Sequence, residues 1–377
     1  MKRTTKWLTS GILSAVLLTG CVPAPSDDQE KAVQETEESE QEMVLIPEAQ
    51  IKKEYYRTPV PFKKSASRGL VVNNLNTKYD IQETEEGLLR LSSLYYDPKD
   101  YFFQEGQYID SDTAKQWVSR KSNFEAGLNP AITDDMSPAQ IADEAPIYLA
   151  HIVEQNYLQM TDDKKVKLAG ITIGLAMNSI YYPREGNERR IDNKTIEEKG
   201  KKMADIILSR LRSKPELADI PIAVGLFKQE SRNDIVPGTY FATSFATKGK
   251  NEFTGWKEVD EQYVLLPASS PTGNYRDLNT TFKNFKQDID DYFPSFVNVI
   301  GTAFYKDQKL HSLRVEIPIQ FFGKTELIGF SQYLTSLVKT HFKDVPIEVS
   351  VTSVNGPEVL IVNDNDREEP FVHVYGY

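Results

Sequence analysis

Apolar positions along this chain fall into three regimes. Trp7 to Leu18 form one short apolar run, and residues 22–42 then carry almost no large apolar side chain. From about residue 50 apolar residues return in short periodic groups, the mark of packed secondary structure.

Those groups predict an order of elements. Residues 51–110 read as strands and turns crowded with aromatics, from Tyr55 and Tyr56 through Tyr95, Tyr96, Tyr101, Phe102, Phe103 and Tyr108. Ser111 or Asp112 is placed to cap a short helix carrying Trp117 and Val118. Ser137-Pro138 starts another helix, with proline at its first position. Pro146 restarts a helix that carries Ile147, Leu149, Ile152, Val153 and Leu158. Leu168 to Met177 reads as a strand, and a turn-rich loop with Pro183, Gly186 and Asn187 follows. Thr195 and Glu198 form a capping-box pattern ahead of a helix with Met203, Ile206, Ile207 and Leu211 at helical spacing. Asp219 to Val224 opens a strand, and Val236 to Ala246 reads as one more.

The second half repeats this order. Phe282, Phe285, Ile289 and Phe293 mark an amphipathic helix, and Val315, Ile317, Ile319 and Phe321 alternate with polar neighbours as in a strand with one wet face. Leu327, Phe330, Leu334, Leu337 and Val338 mark a helix; Asp344 to Val349 opens a strand, and Val359–Val362 and Phe371–Tyr375 follow. Two hexads, Asp219-Ile220-Pro221-Ile222-Ala223-Val224 and Asp344-Val345-Pro346-Ile347-Glu348-Val349, each follow a helix and each begin a strand. Proline is tolerated there because its missing N–H is not needed at a strand start. The predicted fold class is therefore α+β, with two related strand-helix-strand-strand units near 160–250 and 295–377 and antiparallel or mixed sheets. Coincidence is the competing account, since apolar strands after helices are common.

Charge and cysteine use explain the first two regimes. Lys2, Arg3 and Lys6 precede the apolar run, which has the length of a signal-peptide h-region and is too short to span a bilayer. It ends in Leu18-Thr19-Gly20-Cys21, and Cys21 is the chain's only cysteine. This is the lipobox pattern: small residues Thr19 and Gly20 give a signal peptidase access, and the Cys21 thiol takes a diacylglyceryl group. An ordinary secretory signal with a chance cysteine is the alternative. A lone cysteine excludes an internal disulfide and a cysteine-based zinc site. Removing residues 1–20 removes Lys2, Arg3 and Lys6 and takes the formal charge from −11 to −14. Residues 22–42 hold Asp27, Asp28, Glu30, Glu35, Glu37, Glu38, Glu40 and Glu42 against Lys31 alone, a composition that cannot offset its own ordering entropy. The resulting division is a lipoprotein signal peptide at 1–20, a lipidated N-terminus and disordered acidic tether at 21–50, and α+β domains at 51–250 and 251–377. The acidic balance and lack of a basic stripe argue against a nucleic-acid partner.

No specific catalytic constellation is present: no nucleophile elbow, no H-E-x-x-H and no phosphate loop. His151, His311, His341 and His373 are scattered, and neither a metal nor a cofactor is expected. Asn363 to Asp366 resembles the start of a calcium loop but lacks its glycine and terminal glutamate, so it reads as a hairpin turn. Arg184, Arg189 and Arg190 form a small basic cluster that reads as a solvated loop. The aromatics at 95–108 could stack on sugar rings, but they read better as core.

Five strings, in order, resemble the CamS family of Gram-positive lipoproteins, known as sex-pheromone precursors. They are Leu75-Asn76-Thr77-Lys78-Tyr79-Asp80, Tyr101-Phe102-Phe103-Gln104-Glu105-Gly106-Gln107-Tyr108, Gly127-Leu128-Asn129-Pro130, Gly174-Leu175-Ala176-Met177-Asn178-Ser179 and Phe321-Phe322-Gly323-Lys324-Thr325-Glu326-Leu327. The resemblance implies that the leader, roughly Gly11 to Thr19, is trimmed to a short secreted peptide, and it brings no catalytic residues. The expected protein is a non-enzymatic lipoprotein on the outer face of the cell membrane. It is held there through diacylglyceryl on Cys21 after handling by lipoprotein-processing enzymes. Its mature part would bind an envelope component or a protein partner. The alternative is a wall-polymer hydrolase with two carboxylates brought together in a cleft.

Overall fold

The computed structural model describes residues 30–35, 41–68, 74–269, 273–292, 298–320, 323–364 and 368–376. The leader and the Leu18-Thr19-Gly20-Cys21 string lie outside the described residues. The first half contains β1 (Glu30–Glu35), β2 (Gln41–Ile46), α1 (Lys78–Ser92), β3 (Phe102–Glu105), α2 (Ser111–Val118), α3 (Pro138–Glu144), β4 (Leu149–Met160) and β5 (Lys165–Met177). It continues through a small hairpin, β6 (Ile180–Tyr181) and β7 (Arg189–Arg190), to α4 (Asn193–Arg212), β8 (Ile222–Lys228), β9 (Thr239–Ala246) and β10 (Lys257–Glu258). The second half contains β11 (Glu261–Leu266), α5 (Arg276–Tyr292), β12 (Ile300–Lys306), β13 (Lys309–Pro318), α6 (Lys324–His341), β14 (Ile347–Ser353), β15 (Gly356–Asn363) and β16 (Phe371–Val374).

Two mixed sheets result, as the α+β reading anticipates. The first is organised on β5, which pairs antiparallel with β4 along one edge. Its other edge is shared: Val166 faces β1, and Ile171–Met177 pair in parallel with β8. The second sheet runs in sequence order from β11 to β16. The changeover falls between Glu258 and Glu261, later than the 250/251 division read from sequence.

The internal repeat is present as topology. In the first unit β5 leads through α4 to a parallel β8, then to an antiparallel β9; in the second, β13 leads through α6 to a parallel β14, then to an antiparallel β15. The two hexads take the same place in both. The Pro221 carbonyl accepts from Ile171 N at 3.1 Å, and the Pro346 carbonyl accepts from Leu313 N at 2.8 Å. In each case the proline stands just ahead of the strand, where its carbonyl still works and its missing N–H costs nothing.

Three local expectations are corrected. The segment after Pro146 is a strand, not a helix: Leu149 and Ile152 pack into one core, Val153 into the core on the opposite face, and Leu158 into a third cluster. A strand buried on both faces loses its alternation, and bulges at Leu149/His151 and Tyr157/Leu158 add the spacing of a helix. Residues 51–110, read as strands and turns, contain α1. Its buried face carries Asp80, Glu83, Thr84 and Ser92 beside Leu88 and Leu91, so its apolar period is faint. The cap of α4 is Asp192, whose side chain accepts from Thr195 N, rather than the Thr195–Glu198 box; Ile206 on that helix is exposed. Within the stretch 21–50, β1 and β2 bury Ala32, Val44 and Ile46 against Phe102, Leu158 and Val166.

Polar pins hold the first unit together. Asn129, fully buried, donates to the carbonyls of Val118 and Leu149 and accepts from the amides of Tyr148 and Leu149. All four of its hydrogen-bonding positions are thus used, joining the loop after α2 to the start of β4. Tyr96 stacks on Tyr157 at 4.6 Å and donates toward the carbonyls of Ile171 and Pro221. A Cβ on Gly170 would stand 2.2 Å from the Tyr96 ring, so this strand position admits only glycine. The aromatic band is therefore core. Asn129→Ala strands two buried carbonyls and two buried amides and is expected to cost about 3 kcal/mol; a urea melt reads the loss, and an unchanged midpoint would refute it.

Candidate functional site

Helix α1 lies between the two sheets, and the site is built around it. Its N-terminus is fixed to the first unit. Thr77 caps the helix, Asn76 N donates to Gln229 Oε1 at 2.8 Å, and Asp80 accepts from Gly238 N at 2.9 Å. Further along, the Thr84 carbonyl accepts from Tyr240 Oη, and Ser92 Oγ donates to Thr172 Oγ1.

The same helix reaches the second sheet through charge. Arg90 donates through Nε and Nη2 to both oxygens of Glu261, at 2.9 and 2.7 Å, and through Nη2 also to Glu83. Tyr263 Oη donates to the other Glu83 oxygen at 2.7 Å, and the guanidinium stands 4.4 Å from the centre of the Phe304 ring. Glu83 and Glu261 side chains are 5% and 3% exposed, so both are buried charges that need this partner. Burial raises the Glu83 carboxyl, with Arg90 pulling it back down. For Arg90, burial works against the charged form, but the two carboxylates outweigh it and keep the guanidinium charged.

Beside this clamp a cleft of about 270 Å³ opens between α1 and the wet face of the second sheet. Tyr79, Gln82 and Glu86 line it from α1; Ser312, Arg314 and Glu316 line it from β13, whose alternate residues Leu313, Val315 and Ile317 face the core of α5 and α6. Arg314 and Glu348 form an exposed pair at 3.8 Å. The cleft presents hydroxyl, amide and charged groups on a rigid floor, which suits recognition. Its buried carboxylate, Glu83, is already engaged by Arg90 and Tyr263, while Glu86, Glu316, Glu348 and Asp364 also line it.

Of the sequence candidates, Asn363 and Asp364 line this cleft, and the other described ones lie elsewhere. Cys21, Leu18, Thr19 and Gly20 lie outside the described residues. His151 is buried on β4, His311 packs its edge on Phe304, His341 meets Asp288 at 2.7 Å, and His373 packs on Tyr375. No group of three or more metal-binding side chains occurs among the described residues. Asn363 ends β15 and donates to the Phe342 carbonyl, while Asn365 and Asp366 lie outside the described residues. Arg189 pairs with Asp143, away from the cleft. The clamp itself was missed. Glu83 and Arg90, two helical turns apart, were the one legible hint; Glu261 is 171 positions from Arg90 and gives none.

Residues 62–369 match the family described as CamS sex pheromone cAM373 precursor. The chain belongs to the CamS family. A sex pheromone precursor from Lactobacillus salivarius subsp. salivarius UCC118 superposes with a TM-score of 0.81 at 27% identity, over 89% of this chain and 99% of that one. The C-terminal domain of the sex pheromone staph-cAM373 precursor from Staphylococcus aureus superposes with a TM-score of 0.70 at 31% identity, over 82% of this chain and 100% of that one. No curated protein matches the chain. The strings that carry the CamS resemblance sit at pins of the fold. Asn76 and Thr77 fix α1, and Asn129 ties α2 to β4. Asn178 bridges Gln229 and the Ile147 carbonyl, and Gly106 leaves room where a Cβ would stand 2.5 Å from that of Glu154.

Arg90→Met would leave Glu83 and Glu261 buried without their cation and is expected to cost roughly 3–5 kcal/mol at neutral pH. The loss is pH-dependent, because Glu83 rises further once Arg90 no longer opposes burial. An acid with a raised folded-state pKa stabilises the fold below its unfolded pKa, and that stability is lost as pH rises through the folded pKa. Arg90→Met is therefore expected to recover relative to the parent in mild acid. Urea melts at mildly acidic and neutral pH test this, and equal losses at both would contradict it.

Proposed function

We propose that this CamS protein is a lipid-anchored lipoprotein on the extracytoplasmic face of the membrane, and that its leader yields a secreted hydrophobic peptide. The carrying observation is Leu18-Thr19-Gly20-Cys21 at the end of the apolar run, with the chain's lone thiol at the processing position. Lipoprotein-processing enzymes attach diacylglyceryl to Cys21 and cut before it. Two or more acyl chains hold where one would bind only marginally. The related proteins of Lactobacillus salivarius and Staphylococcus aureus are sex pheromone precursors, which supports assigning a precursor role to Gly11–Thr19. No helix among the described residues is long and apolar enough to cross a membrane, so attachment is assigned to the lipid.

The folded part is read as a binding body for an envelope component or protein partner, with the cleft beside α1 as its docking place. Glu83, the buried carboxylate of the cleft, is held by Arg90 and Tyr263 and is not free to exchange a proton, which favours this over hydrolysis through that residue. Mass spectrometry of the processed N-terminal peptide is expected to find a thioether-linked diacylglyceryl on Cys21. Cys21→Ser is expected to release the protein from the membrane fraction and to stop peptide output into the medium. A bare thiol at a mature N-terminus, or equal membrane retention of Cys21→Ser, would overturn the anchoring reading.

A further inference from the structure

A second cavity, of about 240 Å³, lies beside the cleft along α1, with Glu86 lining both, between that helix, β3 and β4. His151 lines it. Ordinary alternation puts this side chain on the same face as Val153, the bulge at Leu149/His151 sets it apart from Leu149, and only 3% of the residue is exposed. The imidazole makes no hydrogen bond or ion pair with any described residue. Buried polar atoms are nearly always paired, so an unpaired ring facing a cavity points to a missing partner. Burial pushes its pKa down to about 4, so the ring is neutral and offers one N–H and one bare nitrogen.

The remaining walls define what that partner is. Leu89, Phe103 and Val153 are apolar, whereas Glu85, Glu105 and Arg68 bring both signs of charge to the same cavity. Glu105 is held in place by the amide of Ser65. Carboxylates and a bare imidazole nitrogen accept from an ammonium; a guanidinium donates to a carboxylate. Apolar walls with a few convergent polar groups are the usual make-up of a small-molecule site.

We infer that this cavity binds a small zwitterionic amino acid with an apolar side chain, its ammonium toward Glu85, Glu105 and His151 and its carboxylate toward Arg68. The site adjoins the cleft at Glu86 and needs no lipid, so it stands or falls independently of the anchoring reading. Calorimetric titration of the purified full chain with leucine, N-acetylleucine, leucinamide and inorganic phosphate tests it. Leucine is expected to bind, N-acetylleucine to lose at least about ten-fold in affinity, and phosphate not to bind; ten-fold corresponds to about 1.4 kcal/mol. Arg68→Ala is expected to weaken leucine and to leave leucinamide unchanged. Glu85→Gln, at the exposed mouth where folding is not at stake, is expected to weaken both, and His151→Phe, which fills the same space without a nitrogen, to do the same. Absence of leucine binding, equal binding of leucine and its N-acetyl derivative, or unchanged leucine affinity in both Arg68→Ala and Glu85→Gln would overturn the inference.

Discussion

One guanidinium fixes the helix of the first sheet to the second. Arg90 leaves a helix that is stitched to the first sheet and is received by a carboxylate at the start of the second. Such a contact is an uncertain source of stability, since withdrawing three charged groups from water costs about as much as their attraction returns. Its value is selectivity. An apolar contact tolerates sliding, whereas two parallel N–H···O bonds to Glu261, a third to Glu83 and a ring face on Phe304 are satisfied together in one relative placement. The cleft inherits its width from that placement.

The repeat gives the two halves a common plan and different uses for it. In both, a parallel strand pair bridged by a helix makes the centre, and an antiparallel strand follows. The first sheet is covered on both faces, by α4 on one and α1 on the other. The second is covered by α5 and α6 on one face, and its other face keeps Ser312, Arg314 and Glu316 in water. The cleft arises where the covering helix of one copy leans on the uncovered face of the other.

What could be read from sequence follows the same division. Strands with one wet face, such as Leu313 to Ile317, declared themselves by alternation, and the two hexads declared the repeat because proline restricts where a strand can begin. Helix α1 was hidden because its inward face is polar, with Asp80, Thr84 and Ser92 serving as hydrogen-bonding pins where apolar residues would have given the helix away. Strand β4 was hidden for the opposite reason, being apolar on both faces. The clamp depends on Arg90 meeting Glu261 across the whole of the first unit, and the cavity beside His151 draws its walls from α1, β3 and β4; neither leaves a local trace in composition.

The insertion of β1 into the first sheet sets a mechanical limit. Val33 and Gln34 lie in parallel register with Lys165 and Val166, so the fold already grips the chain at Glu30–Glu35. Between Cys21 and Glu30 a fully stretched backbone covers at most about 30 Å. Under the proposed lipid anchor on Cys21, the body would ride on a short leash, within about one domain diameter of the headgroups, and anything it engaged would lie near the base of the envelope.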